Sequence, residues 1–103
     1  MDYKIEVSED AHKDIDEIVG YIAQALKNTT AAIEFLNDVE NSYRLLIDNP
    51  RLFSLCNDEG LQEKGYRKVV IKSYLILYRI DDKQGKVFIV RVVYGARDYA
   101  KLL

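Results

Sequence analysis

The amino-acid sequence predicts a single α+β domain with the element order β-α-α-β-β-β, in which an antiparallel helical hairpin packs on one face of a mostly antiparallel sheet. One strand pattern opens the chain, two amphipathic helical patterns follow, and three strand patterns rich in β-branched and aromatic residues come last. A length of 103 residues suits one domain spanning residues 1–103, because domains cluster at about 100–150 residues. We expect the opposite face or the edge of the sheet to meet a partner.

The first 26 residues predict a strand and then a helix. Tyr3–Val7 alternates apolar and polar residues, the pattern of a strand with one buried side. Ser8 is a suitable N-cap, because its side-chain oxygen can accept a hydrogen bond from the first helical turn. An apolar stripe recurring every three or four residues then predicts a helix of about 18 residues. Its members are Ala11, Ile15, Ile18, Ile22 and Leu26.

A second amphipathic helix follows after a short interruption. The segment 28–30, Asn-Thr-Thr, breaks the first pattern and offers capping oxygens. The helix should stop at Asn49, because Pro50 disfavours helical conformation in the residue before it. The short connection makes the two helices an antiparallel pair. The apolar face of this second helix comprises Ala32, Phe35, Leu36, Val39, Tyr43 and Leu46.

The C-terminal third predicts a meander of three antiparallel strands. A polar, irregular segment, Arg51–Gly65, precedes it and is expected to be a loop. Only two residues separate the first strand from the second, and a polar hairpin loop containing glycine separates the second from the third. Apolar residues occur at both parities, so the pattern leaves open which face the helices cover. The strands are Tyr66–Ile71, Tyr74–Ile80 and Val87–Tyr94.

Composition excludes several kinds of site. A hydrophobic fraction of 49% with 31% charged residues is ordinary for a globular protein. The single cysteine, Cys56, cannot form an intramolecular disulfide, and the single histidine, His12, argues against a histidine metal site or a serine–histidine pair. No apolar run approaches a membrane span of about 18 residues, and the N-terminus lacks a leader pattern. We therefore expect a cytoplasmic chain with no metal, cofactor or membrane contact.

The net charge of −2 conceals a division between the two parts of the chain. Residues 1–64 carry 14 acidic and 6 basic side chains, whereas residues 65–103 carry 9 basic and 3 acidic side chains. One hypothesis is that the basic part binds an anionic partner, either nucleic acid or an acidic protein segment. The other is that the two parts neutralise one another within the fold.

Several short segments, in their order and spacing, resemble the RelE/ParE superfamily of toxins from bacterial toxin–antitoxin modules. The resemblance covers nearly the whole chain. It implies a small toxin that is neutralised by a cognate antitoxin, whose C-terminal segment wraps the helices and the sheet. The segments are Ser8–Ala11, Asp14–Ile18, Tyr21-Ile22, Ala31–Leu36, Leu45–Pro50, Tyr74–Asp81 and Arg91–Tyr99.

The superfamily contains two mechanisms, and the resemblance implies different residues for each. RelE-like members cleave mRNA in the ribosomal A site, whereas ParE-like members poison DNA gyrase. Cleavage by a ribose 2′-OH needs cations to hold the developing charge and a group to move a proton, without a metal. For a nuclease the matching residues would be Arg97, Tyr94, Lys68 and Lys72, with the two lysines four apart on one strand face.

One position favours the ParE-like mechanism slightly. Leu75 stands where nuclease members typically have an arginine, and the segment 94–98 looks more like ParE and related plasmid-stabilisation toxins. The mRNA endonuclease is the close alternative, and a family member that only binds its antitoxin is a second. Lys68 and Lys72 could also be edge lysines that discourage aggregation, and a strand arginine often only solvates its face. Candidate contacts to the target are Arg97, Tyr99, Arg79 and Arg67.

Overall fold

The computed structural model describes residues 2–103 and confirms the α+β class. A π-helical turn, Tyr21–Ala25, extends the first helix, and a 3-10 turn, Tyr99–Leu102, lies near the C-terminus. The regular elements are β1 (Lys4–Val7), α1 (Glu9–Gly20), α2 (Thr29–Asp48), α3 (Glu59–Glu63), β2 (Arg67–Ile71), β3 (Tyr74–Asp81) and β4 (Lys86–Tyr94).

The four strands form one mixed sheet in the order β1-β4-β3-β2. The three C-terminal strands pair antiparallel as predicted, whereas β1 pairs parallel with β4, from Lys4 opposite Lys86 to Val7 opposite Ile89. The β3–β4 register shifts by one residue beside Leu77, as a β-bulge does. Strand β2 therefore lies at one edge of the sheet, and β4 lies inside it.

Capping residues set the helix boundaries where the sequence predicts them. The Ser8 side chain accepts a hydrogen bond from the Ala11 N–H at 3.0 Å, and the Asn28 side chain accepts one from the Ala31 N–H at 2.9 Å. Helix α2 ends at Asp48, immediately before the Asn-Pro pair at 49–50. Its start and end therefore follow from local chemistry alone.

The predicted loop Arg51–Gly65 is more ordered than expected. Asp58 caps the short helix α3 by accepting a hydrogen bond from the Leu61 N–H at 3.0 Å. The Cys56 N–H donates to the Tyr66 carbonyl at 2.9 Å, and the Lys68 N–H donates to the Ser54 carbonyl at 3.1 Å. These backbone hydrogen bonds join residues 54–56 of the loop to the start of β2, so the loop is fixed to the edge of the sheet.

The main core lies between the two long helices and one face of the sheet, here called the helix face. Phe35 and Leu46 of α2 are buried there, together with Ile76 and Tyr78 of β3. The Tyr78 hydroxyl donates to the carbonyl of Pro50 at 2.7 Å, and burial raises its pKa to about 12. The expectation that both helices cover one face is confirmed.

The opposite face, here called the outer face, is not left free as expected. A second cluster of buried side chains stands on it, and α3 and the C-terminal residues cover this cluster, which we call the outer cluster. The part of the outer face toward the β3–β4 loop remains open, and Val70 of the edge strand β2 is 63% exposed. The outer cluster comprises Cys56, Leu61, Tyr66, Leu75, Leu77 and Val93, with Tyr99, Ala100, Leu102 and Leu103 packed against it.

An ion pair fixes α1 to β4 beyond the end of β1. The Asp14 carboxylate accepts bonds from Arg91 Nε at 2.8 Å, from Arg91 Nη2 at 2.9 Å and from the Val92 N–H at 2.9 Å. Burial of both side chains makes this pair the least exposed of the described ion pairs. Arg91 therefore links β4 to α1 through Asp14, whereas a strand arginine is expected from the sequence only to solvate its face.

Candidate functional site

The two candidate lysines do not share a face. Lys68 lies in β2 opposite Leu77, a member of the outer cluster. Strand β2 ends at Ile71, and Lys72 follows in a left-handed conformation with a φ of 53°. Its ammonium group pairs with Glu34 of α2 at 3.1 Å, on the side of the helices. The expectation of a shared face is wrong, because the turn redirects the second lysine.

Lys72 does meet Tyr94 in an open groove of about 290 Å³ at the end of the sheet, here called the end groove. Tyr94 is 53% exposed, and its ring packs edge to face on the ring of Tyr74 with centroids 5.9 Å apart. The Gly95 N–H donates to the Ser73 carbonyl at 2.7 Å, and a Cβ on residue 95 would lie only 3.2 Å from that oxygen. Glycine therefore permits the close approach that forms this groove.

Arg97 stands beyond the end groove with its side chain exposed. Its N–H donates to the Tyr94 carbonyl at 3.0 Å, and its own carbonyl accepts from the Tyr99 N–H at 2.9 Å. Among the described residues, no carboxylate pairs with the guanidinium group. The backbone is thus held while the cation faces solvent. Tyr99 instead packs on the outer cluster, where burial raises the pKa of its phenol.

The remaining candidate arginines have different surroundings. Arg67 Nη1 donates to the Phe53 carbonyl at 2.7 Å, so this guanidinium holds the segment before α3. Arg79 is exposed and lies over the ring of Tyr66, 5.2 Å from its centroid. Their contact with a target stays a prediction, as it does for Arg97 and Tyr99.

Leu75 occupies the position where the nuclease resemblance implies a cation. Its side chain is 8% exposed and belongs to the outer cluster, against which Tyr99 and Leu102 pack. Leu75 also lines the end groove. An ionised group directed into the outer cluster, rather than into this groove, would be desolvated without a partner, which is strongly unfavourable. The four nuclease candidates are therefore divided: Lys72 and Tyr94 share the end groove, Arg97 follows it, and Lys68 lies on the outer face.

Two grooves involve residues that the sequence does not single out. The edge groove, of about 320 Å³, lies between α2 and the free part of β2, where Val70 is 63% exposed. The Arg79 groove, of about 560 Å³, lies on the open part of the outer face beside Phe88. The alternation of side chains along each strand is a sequence signal that could have placed Phe88 and Arg79 on one face. That the two residues are direct neighbours follows only from the β3–β4 register in the structure.

Residues 2–103 contain neither a metal-binding cluster nor a membrane-spanning helix. No three His, Cys, Asp or Glu side chains in this range are grouped so that they could hold a metal ion. No helix within it is long and apolar enough to cross a membrane.

Three solved structures show a similar fold. The P. aeruginosa chromosomal ParDE system matches with a TM-score of 0.70 at 15% identity, over 89% of this chain and 95% of that chain. The M. tuberculosis RelBE2 toxin–antitoxin complex matches with 0.61 at 24% identity, over 91% and 99%. The E. coli RelBE complex matches with 0.62 at 17% identity, over 92% and 99%.

Sequence comparison identifies the family. No curated protein matches the chain. The model of the family described as the ParE toxin of the type II toxin–antitoxin system parDE matches residues 5–99, which include every helix and all but the first residue of the sheet. The chain therefore belongs to the ParE toxin family of type II toxin–antitoxin systems.

Proposed function

We propose that this toxin inhibits growth by a ParE-like action on DNA gyrase and does not cleave RNA. The observation that carries the proposal is the burial of Leu75 in the outer cluster. RNA cleavage needs cations to hold the charge on the reacting phosphate, and the nuclease members that the chain resembles typically have an arginine there, whereas this chain has a buried apolar residue. The family match to ParE toxins supports the same choice.

Arg97 is the proposed contact to the target. Its guanidinium is exposed and carries no ion pair within residues 2–103, while hydrogen bonds at 3.0 and 2.9 Å hold its backbone. An arginine so placed can form charge-assisted bonds with a partner, and its ordered backbone does not have to be fixed on binding. The nuclease alternative depends on the same residue, together with Lys72 and Tyr94 in the end groove.

The proposed protein partner is a cognate antitoxin. Solved relatives of this fold are toxin–antitoxin complexes, from M. tuberculosis and E. coli among others. We propose that the antitoxin covers the region from Lys68 to Lys72 and the helical hairpin, because the edge groove there combines apolar Val70 and Leu45 with charged groups. Such a contact should weaken with added salt in so far as the charges contribute. Affinity that does not change with salt would contradict the charge contribution.

The test is to induce the chain in bacteria without antitoxin and to pulse-label DNA and protein synthesis. The proposal expects DNA synthesis to fall first while translation continues. An immediate fall in translation with cut mRNA ends would establish the endonuclease instead. No change in either would identify a family member that binds its antitoxin without toxicity, or a host that lacks the target.

Two variants make the test specific to the site. Arg97→Ala should abolish growth inhibition while leaving the far-UV circular dichroism spectrum unchanged, because its side chain is exposed and forms no ion pair within residues 2–103. Arg44→Ala, on the exposed surface of α2, removes the same charge elsewhere and should leave inhibition intact. Equal inhibition by the wild type and Arg97→Ala would remove Arg97 from the site.

A further inference from the structure

A cross-strand row on the outer face places a cation beside two aromatic rings. Arg79 of β3 is directly opposite Phe88 of β4, and Phe88 is in turn opposite Glu6 of β1. On its other side, the Arg79 guanidinium lies over the ring of Tyr66. Tyr66 is 8% exposed, so its ring holds the guanidinium in place. Phe88 is the more accessible ring of the two and offers a flat apolar surface.

The carboxylates of this groove are bonded within the fold. Asp82 receives both arms of Arg51, at 3.2 and 2.6 Å, and the Tyr3 hydroxyl at 2.7 Å. These bonds hold the pKa of Asp82 below its ordinary value, so it stays ionised and paired. Asp81 accepts two bonds from Gln84, at 3.0 and 2.9 Å, within the hairpin loop.

The cations of the groove, in contrast, are not paired. Within residues 2–103, neither Arg79 nor Lys83 forms an ion pair. The Asp82 charge is balanced by Arg51, so Arg79 and Lys83 outnumber the one remaining carboxylate, Asp81. The groove therefore has a small cationic excess beside the half-buried ring of Phe88.

We infer that the Arg79 groove binds a nucleotide, with its base on Phe88 and its phosphate on Arg79 and Lys83. Base–aromatic stacking contributes about 1–3 kcal/mol per base, and a planar guanidinium can bind a phosphate through two parallel hydrogen bonds. A volume of about 560 Å³ is within the range of small-ligand sites. The lining residues are Tyr66, Arg79, Ile80, Asp81, Asp82, Lys83, Phe88 and Val90.

This groove is separate from the end groove and from the proposed toxin contact. Leu75 and Arg79 are four residues apart in β3, which corresponds to about 13 Å along the strand. The Arg79 groove shares Tyr66 and Val90 with the outer cluster and the residues packed against it, whereas none of the residues 99–103 lines the groove. A ligand on Phe88 could thus bind while the C-terminal segment stays in place. Its binding does not depend on which cellular target the toxin inhibits.

The nucleotide could be free or part of a single strand, and one titration series separates the two sources. The purified full chain is titrated with AMP, UMP, oligothymidylate, adenosine and inorganic phosphate, using calorimetry and amide chemical shifts. We expect AMP to bind more tightly than adenosine or phosphate alone, with shifts in the β3–β4 hairpin. Binding of oligothymidylate but not of the mononucleotides would assign the site to a strand, still with its shifts at Phe88.

Matched variants test the residues. Arg79→Ala should weaken AMP binding about tenfold or more, and Phe88→Leu should remove the preference for AMP over phosphate. Arg44→Ala, an equal loss of charge on α2, should have no effect, and far-UV circular dichroism verifies that each variant folds. The inference is overturned if no nucleotide or strand binds at millimolar concentration, if Arg79→Ala and Arg44→Ala behave alike, or if an acidic peptide without rings competes as well as AMP.

Discussion

Asp14→Ala should be one of the most destabilising single substitutions in this protein. Asp14 accepts three hydrogen bonds of 2.8–2.9 Å, two from Arg91 and one from the Val92 N–H. Its removal leaves the guanidinium and the backbone N–H without a partner. The side chains of Arg91 and Asp14 are 20% and 12% exposed, so water can satisfy these groups only in part.

The magnitude follows from this partial burial. Breaking a fully buried ion pair by removing one partner costs about 3–5 kcal/mol, and the residual exposure places this site near the lower limit, about 3 kcal/mol. For a domain of this size that loss lowers the melting temperature by roughly 12–20 °C. Asp14→Asn can keep the oxygen that accepts from Arg91 Nε and the Val92 N–H, but it loses the charge and the acceptor for Arg91 Nη2, so a smaller loss than for Asp14→Ala is expected.

Urea unfolding followed by far-UV circular dichroism gives the free energy directly. The control is Asp16→Ala, an exposed position of the same helix, which gains the same helix propensity without losing a bond. It should change the free energy of unfolding by no more than about 0.5 kcal/mol. If Asp14→Ala were no worse than Asp16→Ala, the ion pair would contribute nothing to stability, and the attachment of α1 to β4 would have to depend on apolar packing.

Two tyrosines should respond in opposite directions to loss of their hydroxyls. Tyr43→Phe should raise the free energy of unfolding by about 1 kcal/mol in urea, because its buried hydroxyl has no partner within residues 2–103. Tyr78→Phe should lower the free energy of unfolding by about 1 kcal/mol, because it leaves the Pro50 carbonyl without its donor. A change of the same sign in both variants would refute this account. Burial raises the pKa of each phenol to about 12 from 10.0. The contribution of the two neutral phenols to the free energy of unfolding should therefore be fully present below about pH 10 and be lost as the pH rises toward 12. Urea midpoints that do not change between about pH 9 and about pH 11 would contradict this assignment. Leu75→Arg should lower the melting temperature and give no cleavage of mRNA on ribosomes, because its guanidinium would enter the outer cluster unpaired; a stable variant that cuts ribosome-bound mRNA would favour the nuclease alternative.

Local signals account for the parts of the fold that the sequence predicts. The caps at Ser8 and Asn28 and the stop before Pro50 each involve residues within one helical turn. The meander likewise follows from a two-residue turn and a short hairpin loop. These features need no knowledge of distant contacts.

The parts that were missed depend on distant or subtle contacts. The parallel partner of β1 is more than 80 residues away, and nothing near Tyr3–Val7 indicates it. Helix α3 has only five residues, too few for a periodic pattern. A single left-handed residue, Lys72, separates two lysines that strand periodicity places together. The family resemblance identifies the toxin class, but only the folded chain shows that Leu75 is buried in the outer cluster.

The parallel pairing of the first strand with the last has a consequence for synthesis of the toxin. Strand β1 finds its hydrogen-bonding partner only when Lys86–Ile89 has been made. At a synthesis rate of about 5–20 residues per second, roughly 4–16 s pass between synthesis of the N-terminal strand and synthesis of these residues. Helix α1 also depends on β4, through Asp14, so it cannot be fixed earlier. The nascent chain thus remains incompletely folded until translation is nearly finished, and a transcript cut short before the last strand yields no complete sheet.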